Sequence, residues 1–325
     1  MAPIISIIIP HFNRTLLLKE TLNSVKNQSF QDWEVIVVDD ISIRVEWEQL
    51  KTYEENKIQI FQRIGGLKGP SSCRNIGVKN ASGKYLIFLD SDDLLASFCL
   101  EQRVAEMEKD KSIDMAVFLI ENFFVTPGDT KLIFNRYAEY ANLPSLFLEN
   151  KNPWQTMGPI WKKEFFEKLG GFDEKFIFME DPDLHLRALI FENSKIQICY
   201  HKPQDCFYRI NNIDDTKQSF WYNSIFYRIE FYKKITQNIS NVSFINANKA
   251  AIKRGIYSMI KVFLYHRKND FPDLYLAVIN LMKESKLFTF FEIKRISGLL
   301  QIGNSCSFFT HFFKIRGICF MLLPQ

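Results

Sequence analysis

The sequence predicts an α/β protein, a mostly parallel sheet flanked by helices that gives way to a helical C-terminal region. Two observations carry this. Up to residue 215, short β-rich runs alternate with amphipathic stretches of helical spacing, as when parallel strands are joined by covering helices. Past residue 215, aromatics and lysines dominate, Gly and Pro thin out, and helical spacing takes over.

Taken in order, IISIII (4–9) is a continuous apolar run, the pattern of a central strand buried on both faces. Thr15 to Lys26 sets Leu18, Leu22 and Val25 at helical spacing. EVIVV (34–38) is a second strand ending at Asp39-Asp40, and KIQIF (57–61) a third. Gly65-Gly66 and Gly69-Pro70 break the pattern before a helix expected from Ser71 to Ala81, which Ser82-Gly83 stops. KYLIFL (84–89) is a fourth strand ending at Asp90-Ser91-Asp92-Asp93. A further strand is expected at Met115 to Leu119, and a helix from Trp161 to Gly170-Gly171-Phe172. Another helix starts at Asp181-Pro182, with strands near 196–200 and 205–209. Ile252, Ile256, Ile260, Phe263 and Leu264 carry the helical spacing of the last region, so the division expected is 1–215 and 216–325.

With 325 residues, 47% of them apolar, the chain suffices for a domain of ordinary size and an appendage. Charged residues are 24% and the net charge is +4, which gives a nucleic-acid partner no support. Six cysteines form no CxxC pair and no cluster with histidine, so buried reduced thiols are expected rather than zinc ligands or disulfides. MAPIISIIIP has neither a basic region nor a small-residue cleavage site and reads as a first strand, not a signal peptide. Ile296 to Phe313 lacks Lys, Arg, Asp and Glu, yet Gln301, Asn304, Ser305, Ser307, Thr310 and His311 make it too polar for a membrane span. The expectation is a cytoplasmic protein, with any attachment to the inner face of the membrane peripheral.

Residues with chemistry gather where strands end, the edge at which open α/β sheets bind ligands. Asp90-Ser91-Asp92 sets carboxylates together, where they repel unless a cation or donors lie between. Magnesium or manganese takes oxygen ligands, often one or two carboxylates plus substrate phosphates. The competing reading is a solvated acidic turn, or Asp92 or Asp93 capping a helix at Leu94. Arg74 lies near a helix N-terminus that follows a Gly-Pro turn, and both features favour a diphosphate. Asp40 can accept a hydrogen bond from a base or ribose edge. Pro10 to Asn13, Asp40 and Asp90 to Asp92 would then converge on one nucleotide. Asp181-Pro182 has the form of an N-cap followed by Pro at N1, and equally offers a carboxylate to a site.

PIISIIIPHFNR, EVIVVDD, GPSSCRNIGVKNASGKYLIFLDSDD and GGFDEKFIFMEDPDLHLRAL, in this order and spacing, resemble the family 2 glycosyltransferases of GT-A fold. The likeness spans residues 3 to 215. It implies that Pro10 and Phe12 line the nucleotide base beside Asn13, and that Asp40 recognises the base, usually uracil. Arg74 then contacts the diphosphate and base, Asp90 lies near the ribose and donor sugar, and Asp92 ligates Mn2+ or Mg2+. Asp181 matches the catalytic base and Glu180 its neighbour on the acceptor side. The implied reaction moves a sugar from a nucleotide-sugar donor, a UDP-sugar first, to a hydroxyl of a saccharide or lipid-linked saccharide, in bacterial surface polysaccharide synthesis. A carboxylate takes the acceptor proton as it attacks opposite the leaving diphosphate, so inversion is expected.

Two departures stand out. After Asp40 the family commonly continues Gly-Ser or Asn-Ser, whereas this chain has Ile41-Ser42. Many members carry a histidine shortly after a Tyr-Arg pair, but Tyr208-Arg209 is followed by Ile210, Asn211 and Asn212. A nucleotide-sugar-binding scaffold without catalysis is therefore the alternative. A sugar-1-phosphate nucleotidyltransferase lacks support, since HFNRTLLLKE has no glycine. The five histidines show no ligand spacing. Trp154 and Trp161 flank the expected acceptor cleft, where Trp154 is a candidate for stacking on a sugar, core packing being the rival reading. The segment 286–321, Phe-rich with Lys294, Arg295, Lys314 and Arg316, suits a membrane interface, an oligomer contact or packing on the catalytic domain.

Overall fold

The structure, a computed structural model, describes residues 2–135, 142–210, 218–238, 242–265, 267, 270–302 and 322. The chain forms two compact units, Met1–Ala141 with Pro153–Asn212, and Asn142–Asn152 with Ile213–Gln325.

The first unit opens with β1 (Ile5–His11), α1 (Thr15–Lys26), β2 (Trp33–Asp39), α2 (Arg44–Lys51), β3 (Ile58–Gln62), α3 (Pro70–Asn80) and β4 (Tyr85–Phe88). It continues through β5 (Leu94–Leu95), α4 (Cys99–Lys109), β6 (Met115–Val117), β7 (Ile120–Phe123) and β8 (Leu132–Ile133). After α5 (Leu143–Leu148), which belongs to the second unit, come β9 (Pro159–Lys162), α6 (Lys163–Lys168), α7 (Glu180–Ile190), β10 (Ile196–Ile198) and β11 (Cys206–Arg209). Seven strands make one sheet in the order β10-β6-β9-β4-β1-β2-β3. All its pairings are parallel except those of β9, which runs antiparallel to β4 and β6. A four-stranded sheet has the order β5-β11-β7-β8.

The apolar runs earn their place in the core. Ile5, Ile7, Ile8 and Ile9 are fully buried, as are Val35 to Val38, so residues of both parities along β1 and β2 pack under helices. Each such side chain contributes about 1.5–3 kcal/mol relative to exposure. On α1, Leu18, Leu22 and Val25 form the inward stripe. Gly77 lets α3 lie directly on β1, for a Cβ there would meet Ile8 Cγ2 at 2.3 Å. That close approach carries Arg74, one turn earlier on α3, to the carboxyl edge of the sheet.

Four expectations change. The stretch after Asp40 holds a helix, α2, not anticipated because RVEWEQLK is half charged and buries only Leu50. Trp161 lies on β9, not at a helix start, and α6 begins two residues later. Leu94 starts a strand rather than a helix, so neither Asp92 nor Asp93 caps one there. Helix α7 starts at Glu180 behind Met179, whose φ is 69°, so Asp181 sits inside the first turn and does not cap it.

The second unit is helical. It contains α5, α8 (Gln218–Lys233) with a π-helical continuation Lys234–Asn238, α9 (Val242–Ala247), α10 (Lys249–Ser258) with a π-helical continuation Met259–Leu264, α11 (Pro272–Glu284) and α12 (Phe290–Ile302). The Tyr232 hydroxyl donates to Leu148 O at 2.8 Å and accepts from Asn150 Nδ2 at 2.8 Å, tying α5 to α8. Gly255 makes room for this joint, since a Cβ there would meet Leu148 O at 1.9 Å and the Tyr232 hydroxyl at 2.0 Å. No helix among the described residues is long and apolar enough to cross a membrane. Asn211 and Asn212, with Cys306, Cys319, His266, His311, Lys314 and Arg316, lie outside the described residues.

Candidate functional site

The site grows from the register of β1 and β2. His11 and Asp39 face each other across the parallel pair, and Asp39 Oδ1 accepts from His11 Nδ1 at 2.9 Å. The Arg14 amide donates to His11 Nε2 at 3.3 Å, which makes Nδ1 the protonated nitrogen. Burial opposes the Asp39 charge, but hydrogen bonds from His11, Ser42 and Gln62 outweigh it and hold its pKa below the ordinary value. Asn13 closes the corner: its amide donates to Ser42 Oγ at 2.8 Å and its Oδ1 accepts from the Ile43 amide at 2.8 Å. The β1 and β2 loops are thereby fixed side by side, leaving Ile41 at a φ of 62°.

Beside this corner lies a cavity of about 400 Å³. Pro10, Phe12, Arg14, Asp40, Arg74, Asp90 and Glu180 line it, as do Lys68, Gly69 and Ile177. One wall is aromatic and cationic, for Lys68 Nζ stands 4.3 Å from the centre of the Phe12 ring. Asp40 anchors the neighbouring loop, taking Arg63 Nε on Oδ1 and the Gly69 amide on Oδ2 at 3.1 Å.

At the far wall Arg74 gathers carboxylates. Its Nη2 donates to Asp90 Oδ1 at 2.6 Å, and Nη1 lies 3.4 Å from Glu180 Oε1 and 3.9 Å from Asp181 Oδ1. The Arg74 side chain is only 3% exposed. Burial works against its charge, yet Asp90, Asp181 and Glu180 outweigh burial and raise its pKa. Burial, then repulsion from Asp181, lifts Glu180 well above the ordinary carboxylate range despite Arg74. Asp181 is raised too, by burial ahead of the opposing pull of Arg74 and Thr156. The Thr156 amide donates to Asp181 Oδ2, while Oδ1 accepts no hydrogen bond among the described residues.

Asp92 sits at the end of the turn after β4. Arg14 Nη1 donates to its Oδ2 at 2.8 Å. From behind, Arg209 Nε donates to the Asp92 carbonyl at 2.8 Å and the Arg209 amide to Asp93 Oδ1 at 2.8 Å. Burial, with repulsion from Asp90 and Asp92, raises the Asp93 pKa. Among the described residues no three of His, Cys, Asp and Glu gather to hold a metal ion. Asp90 and Asp92 offer hard carboxylate oxygen, the ligand type that a magnesium- or manganese-type ion takes.

Of the residues expected at the site, Pro10, Phe12, Asp40, Arg74, Asp90 and Glu180 line the cavity, whereas Asn13, Asp92, Asp181 and Trp154 are not on its wall. The Asn13 side-chain oxygen accepts from the Ile43 amide. Trp154 and Trp161 are both fully buried and offer no face to a sugar. Instead His185, one turn after Asp181, packs against both: its ring stacks on Trp161 at 5.7 Å and meets Trp154 edge-on at 5.7 Å. Burial pushes the His185 pKa down to about 3. The sequence reading did not single out Arg14, Arg63 or Lys68. A basic residue on each loop leaving β1 and β3 was the available signal.

The sheet, its cavity and the carboxylates at its edge define an α/β ligand-binding domain of the GT-A type. Residues 6–166 match the model of the family described as glycosyl transferase family 2. S. aureus TarS 1-349 in complex with UDP-GlcNAc shares the fold at a TM-score of 0.63 and 17% identity, covering 93% of this chain and 86% of TarS 1-349. The mannosyltransferase PcManGT from Pyrobaculum calidifontis, in complex with GDP-Man and Mn2+, does so at a TM-score of 0.55 and 13% identity, covering 99% and 87%. In sequence, the Campylobacter jejuni GalNAc(5)-diNAcBac-PP-undecaprenol beta-1,3-glucosyltransferase is 37% identical over 100 residues, 30% of this chain and 32% of that enzyme. The chain spans less than two thirds of the length of curated relatives it matches, between 16% and 62% across three of them.

Proposed function

We propose that the chain transfers a sugar from a nucleotide-sugar, a UDP-sugar first, to a hydroxyl of a saccharide or lipid-linked saccharide, with inversion and with the help of a divalent cation. The observation that carries the reading is Arg74, buried where the donor side, Asp90, meets the acceptor side, Glu180 and Asp181.

In this reading Phe12 and Pro10 flank the base, Asp40 accepts from its edge, and Lys68 closes over Phe12. Asp90, held by Arg74, faces the ribose and donor sugar. The acceptor oxygen attacks the anomeric carbon as the bond from that carbon to the diphosphate oxygen breaks. Asp181 takes the hydroxyl proton on Oδ1, the oxygen its neighbours leave without a donor, while Thr156 holds Oδ2. Attack opposite the leaving group inverts the anomeric centre. Asp92 would hold Mn2+ or Mg2+ with the diphosphate, where the ion supplies charge stabilisation to the departing group. TarS with UDP-GlcNAc and PcManGT with GDP-Man and Mn2+ support the donor class and the cation by likeness of fold.

The proposal places catalysis in residues 1–215 and gives 216–325 a role at the acceptor, on the cytoplasmic face of a membrane. Phe290 and Phe291 favour a peripheral contact, being 64% and 82% exposed. Lys294 Nζ lies 4.6 Å from the Phe290 ring. Full-length protein that fails to pellet with anionic vesicles overturns that part alone.

Release of nucleoside diphosphate from UDP-, GDP- and dTDP-sugars, with Mn2+ and with EDTA, tests the core of the reading. Slow hydrolysis of one donor, lost with EDTA and in Asp92→Ala, is the expected result. Silence across donors with cation-dependent nucleotide binding intact points instead to the scaffold alternative.

A further inference from the structure

Arg14 ends the loop between β1 and α1 and places Nη1 2.8 Å from Asp92 Oδ2. The Arg14 side chain is 45% exposed and that of Asp92 only 10%. Arg14, Asp90 and Ser91 line the cavity, whereas Asp92 does not. The guanidinium therefore stands between the carboxylate assigned to the cation and the space assigned to the donor. A guanidinium and a divalent ion on one carboxylate oxygen repel each other, so they compete for Oδ2. A diphosphate entering the same cavity offers the Arg14 fork a better-matched partner, with several oxygens and more than one charge.

The other cations of the cavity are poorly placed for this exchange. Arg74 is committed to Asp90 and Glu180, and Lys68 lies over Phe12. Arg14 instead pairs directly with Asp92.

We propose that Arg14 is a resident cation on Asp92 that the donor diphosphate draws off, so that Asp92 is released to a divalent ion together with the nucleotide and not ahead of it. This rests on the assignment of the cavity to a nucleotide-sugar. Arg14 then has two opposite effects, weakening the binding of the ion alone and strengthening that of the nucleotide. By linkage, ion and nucleotide raise each other's affinity by the same factor, and Arg14 supplies part of it.

The test is Mn2+ binding to the full chain, read from the electron paramagnetic resonance of free Mn2+, alone and with saturating UDP or GDP. Arg14→Ala is expected to bind Mn2+ alone about three- to ten-fold more tightly and nucleotide about three- to ten-fold more weakly. The nucleotide-induced gain in Mn2+ affinity shrinks to match, and Arg14→Lys recovers part of it. Arg14 is largely solvated, so melting temperature serves as the check that both variants fold. Wild-type affinities in Arg14→Ala, beside normal Mn2+-dependent nucleotide binding in the parent, overturn the proposal and leave the site assignment standing. Weaker Mn2+ binding in Arg14→Ala overturns it as well. Absence of nucleotide binding in the parent removes the site assignment and the proposal with it.

Discussion

The Thr156 amide donates to Asp181 Oδ2 at 3.0 Å, while the other carboxylate oxygen accepts no hydrogen bond among the described residues. A buried acceptor left in this state is costly unless something arrives to donate to it. An acceptor hydroxyl is such a donor. Asp181→Asn keeps an oxygen for Thr156 but loses the basic one. Turnover with saturating donor and acceptor should fall by about 10²–10⁴-fold, with the melting temperature little changed. Near-normal turnover in this variant removes the base role.

The pair Glu180 and Asp181 predicts an unusual pH behaviour. Both carboxyls titrate above their ordinary values, through burial first. A base must be deprotonated, so turnover is lost as pH falls through a limb above the ordinary carboxylate values of about 4. For stability the sign reverses relative to a salt-bridged carboxylate. The native state keeps a proton that the unfolded chain has released, so the pair's contribution is full below the ordinary carboxylate pKa and declines as pH rises through the raised native values. Melting temperatures across this range should show Glu180→Gln gaining on the parent as pH rises. A pH-independent difference between the two proteins contradicts the raised value.

Arg74 balances the carboxylates of both walls. Arg74→Ala leaves Asp90, Glu180 and Asp181 without their shared cation, and a loss of about 3 kcal/mol in unfolding free energy is expected from denaturant titration. Arg74→Lys keeps a charge but not the fork that spans Asp90 and Glu180, so it should lie between. Equal stability of all three proteins would show that solvent already screens the cluster.

Ile41 predicts a gain. A β-branched residue at a φ of 62° is strained, and with 53% of its surface exposed it recovers little through packing. Ile41→Asn, better suited to that conformation, should stabilise the protein by about 1 kcal/mol, or about 2–4 °C in melting temperature. A lower melting temperature would mean that the Ile41 side chain is worth more than its strain.

Legibility followed burial and length. Strands β1 and β2 were readable as unbroken apolar runs buried on both faces, and helix α1 by its helical period. Helix α2 was not, with one buried residue in eight. Nor were β5, β7 and β8 of the second sheet, two to four residues long and too short to display alternation; β11 alone of that sheet was expected, near 205–209. Trp161 misled because its Pro159-Ile160-Trp161 context carries no period at all, while the residues after it are helical. Near the site, Asp90 and Asp92 stood out as charges after a strand, and Arg74 as a charge near a helix N-terminus. Arg14 and Lys68 were not singled out, since one basic residue in a loop resembles any other until a partner is beside it. Ile41, where the resembled family commonly has Gly or Asn, holds a left-handed backbone that those residues adopt more easily.

The excursion of Asn142–Asn152 means that the polypeptide passes between its two units three times, after residues 141, 152 and 212. No single cut separates them. A chain shortened after residue 212 would keep α5 but lose its packing partners, turning Leu146, Phe147 and Leu148 from buried side chains into a sticky tab in mid-sequence. An isolated catalytic fragment would have to be made by splicing out residues 142–152 as well as trimming the tail.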